Sequence, residues 1–274
     1  MALRVGGWNL RKLGLEQHKD VARIAGMIQR HFDLVALMEV MYSPDDAEYR
    51  ALEEALGHEW KLVRTATPRP NLPSPHSEYY VVALRRARVS GCSPNGEASL
   101  TYVPDGEGSD GSDERGLFLR EPAFGCFRTL GPHASNDFAL GVYHAEWGSG
   151  AADAIAAEVT HVDLAFAAMQ ARFPQERQRF LVGDFNLDAA ALAPLTSARD
   201  RTRGEGSTLN TQGRISGHLY DHLLAHDTAA ERALCEDAQV LDLRGEAFDL
   251  SAFRAQVSDH LPLVAHVHVA ADDD

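Results

Sequence analysis

The chain has little cysteine and no long apolar run. Its three cysteines, Cys92, Cys126 and Cys235, are scattered over 274 residues, which argues against a cysteine-based metal cluster and against a disulfide framework. We interpret them as buried thiols, a use that mildly favours a reducing compartment such as the cytoplasm. Because no apolar stretch reaches the roughly 18 residues that a membrane-spanning helix needs, we expect no transmembrane segment.

The N-terminal region also lacks the pattern of a secretory leader. A strand-like run begins at Leu3 and leaves no room for a signal peptide. A leader removed beforehand would leave the same sequence, so secretion stays open. The sequence shows no internal repeat, and its 274 residues suit one catalytic domain over residues 1–274. We expect a monomer.

Basic side chains are outnumbered by acidic ones. The chain has 26 Lys and Arg against 40 Asp and Glu, which gives a formal net charge of −14. This argues against a protein that depends on general electrostatic attraction to nucleic acid, because phosphate contacts come from Lys and Arg. It leaves room for a nuclease with local cationic contacts and a metal ion. One local basic cluster, Arg199, Arg201 and Arg203, either contacts phosphate or is simply solvated.

Polar side chains stand at the ends of several strand-like apolar runs. Residues 179–188, RFLVGDFNLD, indicate a buried strand that stops at Gly183 and then presents Asp184 and Asn186. Such residues are common in turns. A carboxylate beside a carboxamide also suits a site that orients water, a phosphate or a metal ion. Other runs of this kind carry Glu39, His144, Asp221 and the pair Asp259-His260.

Carboxylates at the ends of apolar strands need a common partner. An unpaired buried carboxylate is costly, so we expect Glu39, Asp184 and Asp259 to converge. A single divalent cation would balance all three. Oxygen and amide ligands with few cysteines favour Mg²⁺ or Mn²⁺ over zinc.

Helical periodicity appears between these runs. Apolar residues recur at helical spacing in residues 18–32 and 151–173, and Ser43-Pro44 is typical of a helix start. Helices alternate with strands, and the middle of the chain contains hairpin-like strand pairs. This order predicts an α/β fold in which two sheets form the core and helices flank them.

The order of the motifs resembles the endonuclease/exonuclease/phosphatase family. The motifs are WNL, the Glu of ALMEV, the His of GVYH, GDFN and SDH, and the similarity runs from Leu3 to about Val269. Glu78-Tyr79-Tyr80 and Arg120-Glu121-Pro122 resemble the deoxyribonuclease I branch in particular. The resemblance implies a four-layer α/β sandwich with two central mixed β-sheets flanked by helices. It also implies metal-dependent hydrolysis of a phosphoester.

The resemblance implies a role for each conspicuous polar residue. Glu39 is the leading metal ligand, with Asn9 and Asp259 completing the shell through side-chain oxygens or bound water. Two acid–imidazole pairs flank the phosphate. They and the residues that orient the nucleophile and phosphate form the expected catalytic set: Glu78, His144, Asp184, Asn186, Asp221 and His260.

The two histidines leave the division of labour open. His260 acts as the base for water or stabilises the pentacovalent phosphorane. His144 binds the phosphate or protonates the leaving group. In both cases a carboxylate must fix the tautomer, because only a correctly oriented nitrogen can move the proton.

The expected substrate contacts depart from the deoxyribonuclease I pattern. Met41 stands where an arginine enters the DNA minor groove, and His76 replaces a tyrosine that stacks on DNA. Arg120 is kept and could hold a phosphate, while Ser216 is the polar residue before the Tyr-Asp pair. Duplex DNA is therefore less secure as the substrate than phosphoester hydrolysis itself.

The acidic, glycine-rich residues 104–116 have two readings. They form either a flexible solvated loop or part of a structural Ca²⁺ site that uses Asp105 and Glu121. The spacing lacks the EF-hand pattern.

Together these features predict a divalent-metal-dependent phosphodiesterase. The first expectation is a deoxyribonuclease I-like endonuclease that hydrolyses DNA with low sequence preference. An alternative is a phosphatase or phosphodiesterase acting on a lipid, inositol or nucleotide phosphate. A third reading is a catalytically dead interaction domain on the same scaffold. Fold alone does not decide between these activities.

Overall fold

Two mixed β-sheets pack face to face at the centre of the molecule. The computed structural model describes residues 2–15, 19–69, 77–104, 117–131, 136–147, 152–226, 236–246 and 249–268. Within these ranges each sheet has seven strands. Most neighbouring strands are antiparallel, but the pairing of the first two strands of the chain is parallel, as is a central pair of the second sheet.

The first sheet contains the N-terminal and C-terminal strands. Its strand order is β11-β13-β14-β1-β2-β4-β3. Its members are β1 (Ala2–Leu13), β2 (Leu34–Met41), β3 (Trp60–Arg64), β4 (Glu78–Arg85), β11 (Thr202–Arg203), β13 (Ala238–Val240) and β14 (Leu263–His268).

The second sheet is formed from the middle of the chain. Its strand order is β10-β12-β9-β8-β7-β5, and β6 also pairs with β7. Its members are β5 (Val89–Gly91), β6 (Thr101–Tyr102), β7 (Ala123–Thr129), β8 (Asp137–His144), β9 (Arg179–Asp184), β10 (Arg199–Asp200) and β12 (Asp221–Ala225).

Alternating side chains of the strands build the core on both faces of each sheet. In β2, Leu34, Ala36 and Met38 lie in the cluster between the two sheets, whereas Val35 and Leu37 point to the helices on the other face. This is the two-residue period of a strand whose two faces are both covered. The nearly continuous apolar sequence of β2 follows from that double burial.

Helices form the two outer layers. Helices α1 (Val21–His31) and α2 (Ala47–Leu56) cover the first sheet, as does the helix Leu250–Gln256, which we label α6. Helices α3 (Ala152–Val159), α4 (Asp163–Arg172) and α5 (Ala189–Leu192) cover the second. The predicted four-layer sandwich, with two mixed sheets flanked by helices, is confirmed.

Two helix predictions need correction. The helix expected to start at Ser43-Pro44 begins at Ala47, because Ser43 instead donates a hydrogen bond to Asp45 in a preceding turn. The helix expected over residues 151–173 is interrupted between α3 and α4. There the Thr160 hydroxyl donates to the carbonyl of Ala157, a side-chain bond that competes with regular helix.

The cysteine prediction is also wrong for one pair. Cys92 and Cys126 form a disulfide, with their Cα atoms 5.5 Å apart. Cys92 directly follows β5, which pairs with β7, so the sheet brings together two residues that are 34 positions apart. The expectation of a reducing compartment loses its basis. Cys235 lies outside the described residues.

No helix in the described part of the chain is long and apolar enough to cross a membrane.

Candidate active site

A cleft opens at one end of the sandwich, where strands from both sheets finish. Its volume is about 530 Å³. The residues that line it are Arg11, Lys12, Glu39, Met41, Glu78, Arg120, His144, Trp147, Asp184, Asn186, Thr208, Tyr220, Asp259 and His260. The cleft therefore gathers polar residues that the sequence places at the ends of separate apolar runs.

The end of β9 sets the position of Asp184. A side chain at Gly183 would place its Cβ 1.9 Å from the carbonyl oxygen of Tyr143 on the parallel neighbour β8, so only glycine fits there. Asp184 Oδ1 accepts from the backbone N–H of Asn186 at 3.0 Å, and Asn186 donates to the carbonyl of Ala145 at 3.0 Å. One carboxylate oxygen of Asp184 thus holds the turn, and the other faces the cleft.

Irregular backbone in the first sheet shapes the opposite wall. The pairing of β1 with β2 shifts register between Asn9 and Leu13, and Glu39 sits where the pairing of β2 with β4 shifts. The two irregularities contact each other, since the backbone N–H of Lys12 donates to Glu39 Oε2 at 2.9 Å. Bulges of this kind often redirect side chains beside active sites.

Backbone strain is concentrated in this cleft. Five non-glycine residues of the described chain have positive φ: Arg11, Lys12, Glu39, Asp46 and Asn186. All except Asp46 line the cleft. Such conformations cost about 1–3 kcal/mol each and gather at functional sites. The strain therefore points to the same residues as the side-chain chemistry does.

Three side chains converge on a single oxygen, Oδ2 of Asp184. Asn9 Nδ2 lies 3.1 Å from it, His260 Nε2 3.5 Å and His144 Nε2 3.9 Å. His144 Nε2 is also 3.9 Å from Glu39 Oε1. Both imidazoles therefore present the same ring nitrogen to one point, although they come from different sheets or the loops attached to them.

Glu78 orients His144. Its Oε1 lies 2.7 Å from His144 Nδ1 and 2.9 Å from Arg120 Nε, and its Oε2 accepts from the backbone N–H of Glu39. Burial lowers the pKa of His144, but the charge and hydrogen bond of Glu78 together with the charge of Asp184 outweigh that effect and raise the pKa above its ordinary value. Glu78 therefore fixes both an imidazole and the strained backbone of Glu39.

Asp221 orients His260 in the same way. Asp221 Oδ2 lies 2.8 Å from His260 Nδ1, which leaves Nε2 for the cleft. Burial of His260 lowers its pKa, but the charges of Asp221 and Asp184 outweigh that effect and hold the pKa at about 10. Ligand atoms of these three residues lie within 4.8 Å of one another, an arrangement explained by an imidazole placed between two carboxylates.

The residues present fit a divalent cation at Glu39. Its side chain is 19% exposed, and among the described residues no Lys or Arg forms an ion pair with it. Burial raises the pKa of nearby Asp184 above its ordinary value. Carboxylate oxygens that no Lys or Arg pairs with are suitable ligands for Mg²⁺ or Mn²⁺.

The other two predicted metal ligands are arranged differently. The nitrogen of the Asn9 amide faces Glu39 Oε1 at 2.9 Å, and its oxygen accepts from the backbone N–H of Arg11 at 2.8 Å. In this arrangement the Asn9 amide links the carboxylates of Glu39 and Asp184 by hydrogen bonds. Asp259 lines the cleft, but its Oδ2 lies 3.5 Å from Arg11 and 3.7 Å from Arg254.

The predicted substrate contacts are partly brought to the cleft. Arg120 and Met41 line it. Ser216 does not line the cleft itself. Its hydroxyl is hydrogen-bonded to the hydroxyl of Thr208, which does. His76 lies outside the described residues. The basic cluster after GDFN has another use, since Arg201 and Arg203 pair with Asp237 at 3.0 and 3.1 Å.

Half of the proposed calcium site can be located. Glu121 is buried, and its Oε2 lies 2.6 Å from Nε of Arg69. This guanidinium occupies the place that a cation would take at the carboxylate, so calcium binding by Glu121 would have to displace it. Asp105 lies outside the described residues.

Residues 6–260 match the sequence model of the Endonuclease/Exonuclease/phosphatase family. The chain belongs to this family. No protein with a curated description matches the sequence significantly.

Solved structures of the family share the fold. A family protein from Bacteroides vulgatus is 14% identical and superimposes with a TM-score of 0.67 over 98% of this chain and 100% of its own. A humanized D. rerio TDP2 is 15% identical and superimposes with a TM-score of 0.64 over 97% of this chain and 99% of its own. A mannosyl-6-phosphatase from Bacteroides thetaiotaomicron is 16% identical, with a TM-score of 0.62 over 97% of this chain and 100% of its own. At such low identity the likeness establishes the fold alone.

Several cleft residues of this family member were missed from the sequence. Arg11 and Lys12 reach the cleft through the irregular end of β1, and Trp147 and Tyr220 reach it from loops beside β8 and β12. Trp147 could have been predicted as a cleft residue, because it stands three residues after His144 in a segment with no apolar periodicity. Arg11 and Lys12 gave none, because no sequence pattern reveals the bulge.

Proposed function

We propose that the protein is a divalent-metal-dependent phosphodiesterase, a deoxyribonuclease I-like endonuclease that hydrolyses DNA with low sequence preference. One observation carries the proposal. Two imidazoles, each oriented by its own carboxylate, turn Nε2 toward Asp184 Oδ2, beside a Glu39 carboxylate that forms no ion pair with Lys or Arg among the described residues. General acid–base chemistry on a phosphoester needs such an arrangement.

Glu39 would hold the metal, with Asp259 across the cleft as a further ligand, directly or through water. A bound Mg²⁺ or Mn²⁺ supplies Lewis-acid polarisation of a phosphoryl oxygen. Asn9 separates the carboxylates of Glu39 and Asp184 with a neutral amide and orients both. Arg11 is placed to neutralise part of the charge of Asp259.

The protein side chains divide the proton transfers. Asp184 orients the attacking water and accepts its proton. His260, kept protonated by a pKa of about 10, lies with Nε2 3.5 Å from Asp184 Oδ2 and stabilises the charge that develops on the phosphorane. His144 serves the leaving oxygen, and Asn186 helps to orient the phosphate. Asp221 and Glu78 keep Nδ1 of each imidazole occupied, so that Nε2 is the nitrogen that faces the substrate.

Local positive charge supports a polyanionic substrate. Arg11, Lys12 and Arg120 line the cleft, although the whole chain has a net charge of −14. Another structure of D. rerio TDP2, 13% identical to this chain, contains a single-strand DNA product. A cleft with its own basic residues can bind phosphates without general basicity.

A second activity is favoured by another observation. Met41 lines the cleft where an arginine would enter a DNA groove, and a mannosyl-6-phosphatase shares the fold. These features support a phosphatase or phosphodiesterase acting on a small lipid, inositol or nucleotide phosphate. An inert interaction domain would have no use for two oriented imidazoles in one strained cleft.

A plasmid assay separates these activities. Purified protein with Mg²⁺ or Mn²⁺ should nick supercoiled plasmid, and EDTA should stop the reaction. Intact plasmid together with hydrolysis of a small phosphoester would favour the second activity. Inertness toward both would favour the interaction domain. His260→Ala should lower turnover by about two to four orders of magnitude. His58→Ala, at an exposed histidine outside the cleft lining, is the matched surface control.

A further inference from the structure

The most exposed large apolar side chain of the described residues lies in the active-site cleft. Trp147 is 76% exposed, whereas the next most exposed, Leu15, is 42% exposed. The other two tryptophans, Trp8 and Trp60, are buried at 0% and 4% exposure. Among the residues that the structure describes, Trp147 makes no ring contact and no hydrogen bond. Most of its indole surface is therefore open to a ligand in the cleft.

A second aromatic residue flanks the same strand end from the other side. In the second sheet β9 lies between β8 and β12. Trp147 follows β8 by three residues, and Tyr220 directly precedes β12. Asp184 and Asn186, at the end of β9, therefore lie between two aromatic residues that line the cleft.

The Tyr220 ring is held in place. It stacks on His218 with ring centroids 5.0 Å apart and an interplanar angle of 17°. His218 is itself tied to Asp188 at 3.2 Å. A fixed ring loses little conformational freedom when it contacts a ligand, so Tyr220 can serve as a preformed wall.

The two walls of the cleft differ in chemistry. Arg11 and Lys12 bring positive charge from the first sheet, and Trp147 and Tyr220 bring aromatic surface from the second. Basic residues combined with aromatic rings are the recognition pattern of single-stranded nucleic acids, in which bases stack on rings and phosphates pair with cations. Stacking also tolerates any base, because every base has a π face.

Resting on the function proposed above, we propose that Trp147 is a specificity-determining residue that stacks on an unpaired base next to the scissile phosphate. Tyr220 bounds the space on the other side of the β9 end. A base inside a duplex is already stacked and cannot cover the indole. The favoured substrate is therefore single-stranded or has unpaired bases at the cleavage point.

A substrate with one phosphodiester tests this assignment. We compare dithymidine monophosphate with its abasic analogue, in which a tetrahydrofuran residue replaces each thymidine, so that hydrogen stands in place of each thymine. With Mg²⁺ or Mn²⁺ the wild-type kcat/KM for the base-bearing compound should be higher by about ten-fold or more, the effect of a base–aromatic stack. Trp147→Ala should remove that preference, because it should lower kcat/KM for the base-bearing compound about ten-fold more than for the abasic compound. Trp147→Phe should retain part of the preference.

Two outcomes would overturn the assignment. An equal loss on both compounds in Trp147→Ala would show a structural role only. A wild-type preference for the abasic compound, or no preference, would show that the indole contacts sugar or nothing. The control is Leu130→Ala, which removes another exposed apolar side chain (40% exposed) outside the set that lines the cleft.

Binding without turnover separates this inference from the proposed function. In His260→Ala protein with Mg²⁺, dithymidine monophosphate should quench the emission of exposed Trp147, and the abasic analogue should not. Trp147→Phe removes this signal, because the remaining tryptophans are buried. If wild-type protein hydrolyses no phosphoester yet shows base-dependent quenching, the proposed function fails and the stacking site stands. Hydrolysis without base dependence in either readout contradicts the stacking site alone.

Discussion

The amide of Asn9 donates a hydrogen bond to Oδ2 of Asp184 over 3.1 Å, between residues 175 positions apart in the chain. Asn9 belongs to β1 of the first sheet and Asp184 to β9 of the second. The same amide nitrogen donates to Glu39 Oε1 at 2.9 Å. A neutral group therefore ties the two sheets together at the cleft and lies between two carboxylates.

Replacing this amide with a carboxylate should make the metal-free protein less stable. Asn9→Asp puts a third acid against Glu39 and Asp184, and burial of like charges is unfavourable. We expect the free energy of unfolding in EDTA to fall by about 2 kcal/mol, which lowers Tm by roughly 4–8 °C for a chain of this length. Mg²⁺ should restore part of the loss.

The surface change Asn95→Asp adds the same charge on an exposed loop and should leave Tm within about 1 °C, because solvated charges contribute little. Differential scanning calorimetry with EDTA and with Mg²⁺ measures both variants. An Asn9→Asp protein that melts like wild type in EDTA would contradict the proposed charge balance.

Glu39→Gln should separate stability from activity. The substitution keeps the shape of the side chain and removes a carboxylate charge that no Lys or Arg pairs with among the described residues. It also turns an amide nitrogen toward one of two hydrogen-bond donors, Asn9 Nδ2 or the backbone N–H of Lys12. We expect Tm in EDTA to stay within about 4 °C of wild type, and the Mg²⁺-dependent rise of Tm to disappear. Calorimetric titration should show metal binding weakened by at least ten-fold. A variant with wild-type metal affinity would show that the cation binds elsewhere.

Asp221→Asn should slow catalysis while leaving the fold intact. The amide can still contact His260 Nδ1, but its nitrogen cannot accept a hydrogen bond, and the negative charge of the carboxylate is lost. We expect kcat to fall by about 10²–10⁴-fold with little change in KM. Asp137→Asn is the control, since Asp137 pairs with Arg128 at the start of β8. Equal kcat in the two variants would be incompatible with the assigned role of Asp221.

His222 should make stability depend on pH. Its ring is buried, and its two nitrogens lie 2.9 Å from Asp200 Oδ2 and 2.8 Å from the carbonyl oxygen of Leu187. Burial lowers the pKa of His222, but the hydrogen bond and charge of Asp200, together with the hydrogen bond to Leu187, outweigh that effect and raise the pKa above the ordinary 6.5. The stabilisation is therefore complete below pH 6.5 and is lost as pH rises through the folded-state pKa.

His222→Ala should consequently lower the free energy of unfolding by about 3 kcal/mol at pH 6, and by less at pH 9. Urea unfolding at the two pH values measures the difference. His266→Ala is the comparison, because His266 pairs with Glu236 on the surface and should cost less than about 1 kcal/mol. A His222→Ala penalty that grows with pH would refute the charged state of this ring.

Much of the site was predictable because most of its residues lie at or beside one end of a recognisable strand. Asp184 and Asn186 are adjacent to an apolar run, so sequence alone places them at its end. His144 and Asp221 lie at the ends of β8 and β12, which flank β9 in the sheet. That neighbouring strands would bring them together followed from the family resemblance and not from the apolar pattern.

Other features depend on geometry that sequence patterns do not encode. The positive φ angles of Arg11 and Lys12 turn these side chains into the cleft, but neither residue type signals such a backbone. The Cys92–Cys126 disulfide depends on which strands become neighbours. The Asn9 amide was assigned as a metal ligand from its motif, and only three-dimensional contacts show that its nitrogen faces the carboxylates.

The position of the bound metal tests the central claim most directly. A crystal grown with Mn²⁺ should give an anomalous peak at about 2.1 Å from a carboxylate oxygen of Glu39, on the side of the cleft that His144 and His260 face. The same preparation should nick plasmid, and Glu39→Gln crystals should lack the peak. An Mn²⁺ peak far from Glu39, or plasmid nicking that persists in EDTA, would contradict the account.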